Sequence, residues 1–281
     1  MKILVTGSEG FTGIHFMLRC KKLDIEVVEL KSNLLDVDGL KTELKNLKLD
    51  YVVHLAGISF IAHDDQKIFK KVNVDGTENL LAAIKLMKVR PNKILLASTA
   101  NLYGLVESGE INEEILPSPQ NSYGHSKLMM ENIALDKYGD SFDFIIARPF
   151  NYTGKSQNLV FVVPKIVDHF KKKSSSIELG SLDVRREFND VRFVVDSYID
   201  LLMSVKKTEI INICSGITYS INDIINEMMV ISNHQIKVNV NPEFLRENEI
   251  KSLKGNPEKL YNLSSVKNSY NLNDTLLWMY K

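Results

Sequence analysis

Tyr123 and Lys127 have the residue types and the spacing of a proton-transfer pair. They stand four residues apart, so on a helix both side chains share one face and reach one small volume. A positive charge close to a phenol favours the phenolate, so we expect the tyrosine to exchange a proton near neutral pH. Hydride transfer to a carbonyl carbon requires such an exchange at the carbonyl oxygen.

A glycine-rich turn near the start of the chain indicates a second function, the binding of a dinucleotide. The apolar run Lys2–Thr6 is followed by Gly7, Gly10 and Gly13, after which a helical pattern begins. Glycines let the backbone approach a pyrophosphate, which binds the exposed N–H groups of a helix N-terminus. Together with the tyrosine–lysine pair, this turn predicts a chain that binds a dinucleotide and transfers a hydride.

The first half of the chain alternates between strand and helix patterns. Strands separated by helices form βαβ units and a parallel sheet, so the pattern predicts an α/β fold with a Rossmann-type doubly wound sheet. The predicted strands are Lys2–Thr6, Ile25–Leu30, Asp50–Gly57, Lys93–Thr99 and Phe142–Pro149, and the predicted helices include Asn73–Met87 and Ser122–Lys137. Ligands of such sheets bind beyond the carboxyl ends of the strands.

After residue 150 the alternation loosens. Val162–Lys173 and Ile221–Ile231 have helical patterns, and Ile210–Cys214 has a strand pattern. We expect residues 1–150, with about 187–216, to form the dinucleotide-binding domain. Residues 151–186 and 217–281 are then expected to form a smaller α/β lobe that binds the substrate.

Composition and charge exclude several other classes of protein. Lys+Arg and Asp+Glu number 35 each in 281 residues, so there is no overall field that would attract nucleic acid. No apolar stretch approaches the roughly 20 residues of a membrane span. The six histidines show no zinc-ligand spacing, so no metal is expected. Cys20 and Cys214 lie in apolar patterns typical of buried thiols in a reducing compartment, which predicts a cytoplasmic enzyme.

A third catalytic group is predicted at the end of the fourth strand. The Thr99 hydroxyl, with Ser98 beside it, is placed to orient a carbonyl while Tyr123 donates a proton and Lys127 holds the cofactor ribose. The alternative is a strand-end hydroxyl that caps a turn, which is a common structural role.

Several motifs together resemble the extended short-chain dehydrogenase/reductases that modify nucleotide sugars. These are the glycine-rich turn, Asn73–Thr77, Ser98–Thr99 with Leu102–Gly104, and the tyrosine–lysine pair. The segments Arg148–Gly154, Arg186–Arg192 and Asn212–Gly216 look like the GDP-4-keto-6-deoxy-D-mannose reductases of this family. The segment from Asn241 to Leu260 is similar both to those reductases and to GDP-mannose 4,6-dehydratases.

The resemblance implies functions for individual positions. The catalytic group would be Thr99, Tyr123 and Lys127. The cofactor would be bound at Gly7, Gly10, Phe11, Thr12, Gly13, Lys31, Ser32, Asn33, Leu34, Leu55, Ala56, Gly57, Asn73, Ser98, Tyr123, Lys127 and Pro149. The nucleotide sugar would be bound at Thr99, Asn101, Tyr123, Asn151, Phe161, Val162, Lys165, Arg186, Arg246 and Glu249. A guanidinium such as that of Arg186 suits phosphate geometry.

We expect the reaction to be NADPH-dependent reduction of a nucleotide-linked 4-keto-6-deoxyhexose, with GDP as the favoured nucleotide. Lys31 and Ser32 follow the second strand where NAD enzymes tend to carry an acid, which favours NADP(H), although NAD(H) stays possible. Asn101 stands where the dehydratases carry a glutamate base, and a neutral amide is not a useful base. A 4-epimerase or 4,6-dehydratase of the same family, and a non-catalytic dinucleotide sensor or scaffold, remain as alternatives.

We also expect a homodimer. The predicted helices Asn73–Met87 and Ser122–Lys137 carry apolar residues on more than one face, so one face could pair across a two-fold axis. These residues are Leu80, Leu81, Ile84, Met129, Met130 and Ile133. The alternative is that the sheet covers all of them.

Overall fold

A computed structural model of the chain describes residues 1–59, 67–106, 109–244 and 251–281. The strands along it are β1 (Lys2–Thr6), β2 (Glu26–Glu29), β3 (Tyr51–His54), β4 (Lys93–Ala97), β5 (Glu110–Ile111), β6 (Asp143–Pro149), β7 (Tyr152–Thr153), β8 (Ser176–Leu179), β9 (Arg185–Arg186), β10 (Asn189–Asp190), β11 (Glu209–Ile213), β12 (Tyr219–Ser220), β13 (Lys237–Val240) and β14 (Ser252–Gly255).

The helices are α1 (Phe11–Lys22), α2 (Val37–Leu44), α3 (Lys67–Phe69), α4 (Gly76–Lys85), α5 (Ser122–Asn132), α6 (Val162–Lys171), α7 (Val191–Ser204), α8 (Ile221–Ser232), α9 (Glu258–Leu263) and α10 (Leu272–Tyr280). A π-helical segment, Lys70–Asp75, joins α3 to α4, and another, Ile133–Lys137, extends α5. Short 3₁₀ turns cover Ala100–Tyr103 and Pro242–Phe244.

The central sheet has six parallel strands in the order β11-β6-β4-β3-β1-β2. The chain leaves β1 towards β2 on one side and then continues from β3 outwards on the other. The direction therefore reverses between β1 and β3, and ligands of open α/β sheets bind at the carboxyl ends of the strands at such a point. The predicted Rossmann-type doubly wound fold is confirmed.

Helices cover both faces of this sheet because its strands are apolar on both sides. Ile3 and Val5 of β1 pack into the cluster that contains α1 and α7. Leu4 points the opposite way, into the cluster formed with α2, α4 and α5. Successive side chains of a strand alternate between faces, so one short apolar run anchors two helical layers.

A smaller set of elements follows the sheet. Helices α6, α8 and α10 pack with β8 around a separate apolar cluster, and β8 pairs in parallel with β13. Another sheet, with parallel and antiparallel pairs, has the order β12-β9-β14-β5, so β5, from the first half of the chain, joins strands from the second half. Leu260 of α9 packs into the cluster of the central sheet. The domain boundaries stated above stay a prediction.

The apolar residues from which a dimer was predicted are mostly used inside the chain. Leu80, Leu81, Ile84 and Met130 are fully buried in the cluster between the sheet and its helices, and Ile133 is partly buried there. Only Met129 of this group is strongly exposed, at 42%. The sheet therefore accounts for most of the apolar surface on these helices, and the homodimer stays a prediction that needs other support.

Within the described ranges, no helix combines the length and apolar character needed to cross a bilayer. The same residues contain no cluster of three or more His, Cys, Asp or Glu side chains that could hold a metal ion. Cys20 and Cys214 are both free thiols and both buried.

Candidate active site

The three predicted catalytic residues meet at the carboxyl end of β4. Ala97 ends this strand, and Thr99 follows in extended conformation as the N-cap of the 3₁₀ turn. From α5, the Lys127 ammonium donates a hydrogen bond to the Ala97 carbonyl oxygen at 2.7 Å. Tyr123 lies one turn before Lys127 on α5, and its phenol interacts with the Thr99 hydroxyl. The structure thus assembles a phenol, an alcohol and an amine in one place.

Burial governs the protonation of this group. Tyr123 is 8% exposed and Lys127 is 5% exposed. Burial raises the pKa of Tyr123 well above its ordinary value, Tyr152 adds to the increase, and the Thr99 hydrogen bond opposes it. Burial also lowers the pKa of Lys127 to about 8, against the opposing effect of Glu131. Burial therefore keeps the Tyr123 phenol protonated near neutral pH, which is the form that a proton donor needs, and the exchange of this proton during turnover stays a prediction.

A buried ion pair between Glu131 and Arg148 lies one helical turn from Lys127. Glu131 follows Lys127 by one turn on α5, and Arg148 lies on the neighbouring strand β6. The Arg148 guanidinium donates through Nη2 to Glu131 Oε2 at 2.6 Å and through Nε to Oε1 at 3.1 Å. The Ser98 hydroxyl also donates to Glu131 Oε1. The carboxylate therefore connects the lysine helix, the strand that precedes Thr99 and β6.

The same network continues towards the smaller sheet. Arg148 Nη1 donates to the Tyr103 hydroxyl at 2.9 Å, and that hydroxyl donates to Asn212 Oδ1 at 2.8 Å. The Asn212 backbone N–H donates to Glu113 Oε1 at 2.7 Å. No role was predicted for Glu131, and Arg148, Tyr103 and Asn212 were recognised only as parts of motifs. The available signal was spacing, because Tyr123, Lys127 and Glu131 recur every four residues.

Asn101 faces the catalytic threonine. Its backbone N–H and its side-chain Nδ2 both donate to Thr99 Oγ1, at 3.1 and 3.2 Å. The side chain at this position thus touches one of the groups that would contact a substrate carbonyl. It brings an amide there, which has no basic site for removing a carbon-bound proton.

The glycine-rich turn is built so that α1 can receive a phosphate. Gly7 has φ of +71°, and a Cβ there would lie 2.7 Å from the Ala56 nitrogen. A Cβ on Gly13 would lie 2.0 Å from the Gly7 carbonyl oxygen. Gly10 is the N-cap of α1 and supplies no side-chain acceptor to the first N–H groups of the helix. Exposed N–H groups at a helix N-terminus suit a pyrophosphate.

Tyr152 is a further site residue that the sequence analysis did not select. Its hydroxyl is 2.7 Å from the Thr12 hydroxyl, and its ring stacks on Phe11 with 5.8 Å between centroids. Tyr152 also contributes to the raised pKa of Tyr123. Through Thr12 and Phe11, Tyr152 is held against the glycine-rich turn.

A buried histidine, His54, links residues of the predicted cofactor site through hydrogen bonds. Thr77 Oγ1 donates to the Asn73 carbonyl at 2.7 Å, so it must accept from His54 Nε2 at 2.8 Å. His54 Nδ1 then accepts from Thr6 Oγ1 at 2.6 Å, and Thr6 Oγ1 accepts from the Ala56 N–H at 3.1 Å. Each donor in this chain has one acceptor, which requires the neutral imidazole.

Asn73 extends this chain of hydrogen bonds to α5, the helix that contains Tyr123 and Lys127. Its Oδ1 accepts from the Ile58 N–H at 2.8 Å, and its Nδ2 donates to the Ser126 hydroxyl at 3.0 Å. Ser126 in turn donates to the Tyr123 carbonyl at 2.8 Å. A Cβ on Gly57 would lie 2.9 Å from Asn73 Oδ1, so the glycine allows this close contact. Asn73 therefore positions α5 as well as the cofactor site.

We predict that His54 makes the protein sensitive to acid. Burial is the main cause that lowers the pKa of His54, from 6.5 to about 3. Unfolded chains bind this proton more readily, so the stabilisation is complete above about pH 6.5 and declines as the pH falls towards 3. At about 1.4 kcal/mol per pH unit, this residue should account for a loss of roughly 2 kcal/mol by pH 5. Urea unfolding of the wild type and of His54→Gln between pH 7.5 and 5 measures it.

The two proteins should converge in stability as the pH falls, because the glutamine variant has lost the titrating group. A constant difference between them would contradict the prediction. His125→Gln is the matched control, because His125 is exposed at the start of α5 and makes no part of this chain of hydrogen bonds.

The residues predicted to lie beside the cofactor ribose follow β2. The Ser8 hydroxyl donates to Glu29 Oε2 at 2.8 Å, and the Lys31 ammonium is 3.5 Å from the same oxygen. The cation predicted to attract a 2′-phosphate therefore already neighbours a carboxylate. Asn33 caps its own turn through the Leu35 N–H, and Leu34 is buried against Gly76.

The other predicted substrate residues lie on several elements that follow β6. The Asn151 carbonyl accepts from the Asn189 N–H at 2.9 Å, close in sequence to Arg186 on β9. Phe161 is the N-cap of α6 and Val162 its first residue. The Lys165 ammonium donates to the Glu178 carbonyl at 2.8 Å, which directs it towards β8. Arg246 and Glu249 lie outside the described residues.

Comparison with known proteins identifies the family. The sequence model described as GDP-mannose 4,6 dehydratase matches residues 19–276. A GDP-6-deoxy-D-talose 4-dehydrogenase from Aggregatibacter actinomycetemcomitans is 39% identical over 269 residues, which cover 94% of this chain and 91% of that protein. A GDP-6-deoxy-D-mannose reductase from Pseudomonas aeruginosa is 28% identical over 290 residues, which cover 98% of this chain and 94% of that protein.

A solved structure agrees in three dimensions. The structure described as RMD from Pseudomonas aeruginosa complexed with NADPH superposes with a TM-score of 0.91 at 28% identity, covering 99% of this chain and 97% of that one. The fold, the family model and the two sequence relatives agree. The chain therefore belongs to the GDP-mannose 4,6 dehydratase family, whose members are enzymes of the extended short-chain dehydrogenase/reductase type that modify nucleotide sugars.

Proposed function

We propose that the enzyme reduces the C4 ketone of a GDP-linked 4-keto-6-deoxyhexose with NADPH. The observation that carries this proposal is the pair of hydrogen bonds from Asn101 to Thr99. They put an amide beside the catalytic threonine, where dehydration would need a base for a carbon-bound proton. Ketone reduction needs no such base, and the buried Tyr123 phenol is in the protonated form that reduction uses.

Each catalytic side chain has a role in this reaction. A reduced nicotinamide dinucleotide supplies the hydride when it is bound. The Thr99 hydroxyl orients the substrate carbonyl, and Tyr123 donates its proton to the carbonyl oxygen. The ammonium of Lys127, held by the Ala97 carbonyl, binds the ribose of the cofactor and stabilises the phenolate left after proton transfer.

The cofactor assignment rests on two kinds of support. The glycine-rich turn and the uncapped start of α1 fit a pyrophosphate. The phosphate on the 2′-oxygen is supported by Lys31 beyond β2 and by the NADPH complex of the similar structure from Pseudomonas aeruginosa. Glu29 beside Lys31 is also able to accept a ribose hydroxyl, so NAD(H) is the second candidate.

The configuration at C4 of the product is the finer part of the proposal. The two relatives are named for 6-deoxy-D-talose and 6-deoxy-D-mannose, sugars that differ at C4 alone. The higher identity to the first supports GDP-6-deoxy-D-talose as the product. Proton coupling constants of the reduced sugar, measured by nuclear magnetic resonance, distinguish the two.

We predict that the enzyme will not dehydrate GDP-mannose. Incubation with GDP-mannose and NADP⁺ should yield no 4-keto-6-deoxy sugar by mass spectrometry. Supplied with GDP-4-keto-6-deoxymannose, the enzyme should consume one NADPH for each sugar reduced. Formation of the ketosugar from GDP-mannose would overturn the assignment. Turnover of a nucleotide sugar without net loss of NADPH would instead indicate a 4-epimerase.

Two structural predictions complete the proposal. We infer that residues 151–186 and 217–281 bind the nucleotide sugar, supported by the separate apolar cluster of α6, α8 and α10. The proposed homodimer has the exposed Met129 on α5 as its support, with Ile133 one turn further along.

A further inference from the structure

The loop after β2 holds an internal carboxylate where the cofactor is proposed to bring a phosphate. Glu43 accepts from the Lys31 N–H through Oε1 at 2.9 Å and from the Ser32 N–H through Oε2 at 2.7 Å. One carboxylate therefore takes two successive backbone donors. Successive backbone N–H groups in a turn form a concave site for anions.

The position of this anion site relates it to the ribose. Residues 31 and 32 come directly after β2, and in doubly wound folds the carboxyl end of the second strand contacts the adenosine ribose. The Ser8 hydroxyl of the glycine-rich turn reaches Glu29 at the end of β2, which brings the pyrophosphate turn and this loop together. An adenosine 2′-phosphate would therefore meet the same two N–H groups.

Glu43 is ionised in this arrangement. Partial burial opposes ionisation, but hydrogen bonds from Ser32 and Lys31 and the charge of Lys31 outweigh it, so the pKa of Glu43 is lowered. Helix α2 holds the Glu43 side chain in place, because Leu40 and Leu44 on the same helix are fully buried. An acidic side chain in the last turn of a helix is unfavourable with the helix dipole, so helix stability does not explain this glutamate.

We propose that Glu43 is a specificity-determining residue, which competes with the adenosine 2′-phosphate for the N–H groups of Lys31 and Ser32 and thereby limits the preference for NADPH over NADH. The inference rests on the proposed binding of a nicotinamide dinucleotide. A 2′-phosphate must displace the carboxylate and is repelled by it, whereas a 2′-hydroxyl can donate to it. Lys31 acts in the opposite direction, as an attraction for the phosphate.

Titration of the purified enzyme with NADPH and with NADH by calorimetry tests this inference without any sugar substrate. Glu43→Gln keeps the shape and one acceptor oxygen but removes the charge. We expect this variant to bind NADPH about tenfold more tightly, as removal of a like charge at close range implies, without tighter binding of NADH. The gain should shrink as salt is raised from about 0.01 to 1 M, because screening weakens the repulsion.

Asp38→Asn is the matched control, because this substitution removes one negative charge from the same helix. The Asp38 carboxylate accepts a hydrogen bond from Lys41 and not from the loop after β2. It should leave the ratio of the two affinities unchanged. If Glu43 only anchors the loop, its replacement would weaken the binding of both cofactors alike, and that result would overturn the inference. An unchanged ratio of the NADPH and NADH affinities would also overturn it. Absence of binding of both cofactors to the wild type would instead remove the proposed function.

Discussion

Replacing Tyr123 by phenylalanine is expected to lower kcat by about 10²–10⁴, the usual loss when a general acid is removed. The phenol interacts with the Thr99 hydroxyl and holds its proton at neutral pH, so it is the group placed to protonate the carbonyl oxygen. Its hydroxyl contributes little to holding the dinucleotide, so cofactor affinity should hardly change. Steady-state reduction of the ketosugar together with NADPH titration measures both quantities.

Tyr198→Phe is the matched control for this experiment. Tyr198 is also buried, and among the described residues its hydroxyl has no hydrogen-bond partner. Loss of that hydroxyl removes an unsatisfied polar atom, so this variant should keep its activity and its stability. Near-normal turnover of Tyr123→Phe would contradict the proposed mechanism, and equal losses in the two variants would point to a general effect on packing.

Local patterns were sufficient to predict the elements that carry the site. The apolar run Lys2–Thr6 has the bounds predicted for β1. The predicted helix Ser122–Lys137 corresponds to α5 with its π-helical extension. Tyr123 and Lys127 were found because the side chains of one helix face have a fixed spacing in the sequence.

The side chains that surround Tyr123 and Lys127 could not be predicted from spacing in the sequence. Tyr103 and Asn212 are 109 residues apart, and Glu131 and Arg148 come from different elements that meet only in the folded chain. The raised pKa of Tyr123 could not be predicted for the same reason. A neighbouring lysine was visible in the sequence, but the burial that raises this pKa depends on the packing of the whole site.

Glu43 shows the same limit at the cofactor site. The sequence placed Lys31 and Ser32 beyond β2 and so favoured NADP(H). It did not reveal that a carboxylate from the end of α2 occupies their N–H groups. Charge that arrives from another element can thus oppose the residue that a motif selects.

The second large effect is expected at the buried ion pair. Glu131→Gln should reduce the free energy of unfolding by about 3–5 kcal/mol, because it leaves the Arg148 guanidinium buried without its counter-charge. The side chains of Arg148 and Glu131 are only 4% and 2% exposed, so water cannot replace the lost partner. Urea unfolding at pH 7 measures the change. Glu78→Gln, which removes the partner of the exposed Lys137, is the matched control and should change stability by about 0–1 kcal/mol.

A double-mutant cycle decides whether the unpaired cation causes this loss. In an Arg148→Met background the buried cation is absent, so the same Glu131→Gln change should be much less destabilising. An equal loss in both backgrounds would show that the unpaired cation of Arg148 does not cause the destabilisation. The cycle also has a kinetic consequence. Because Glu131 raises the pKa of Lys127, its loss should move the alkaline limb of the kcat profile to lower pH in any variant that folds.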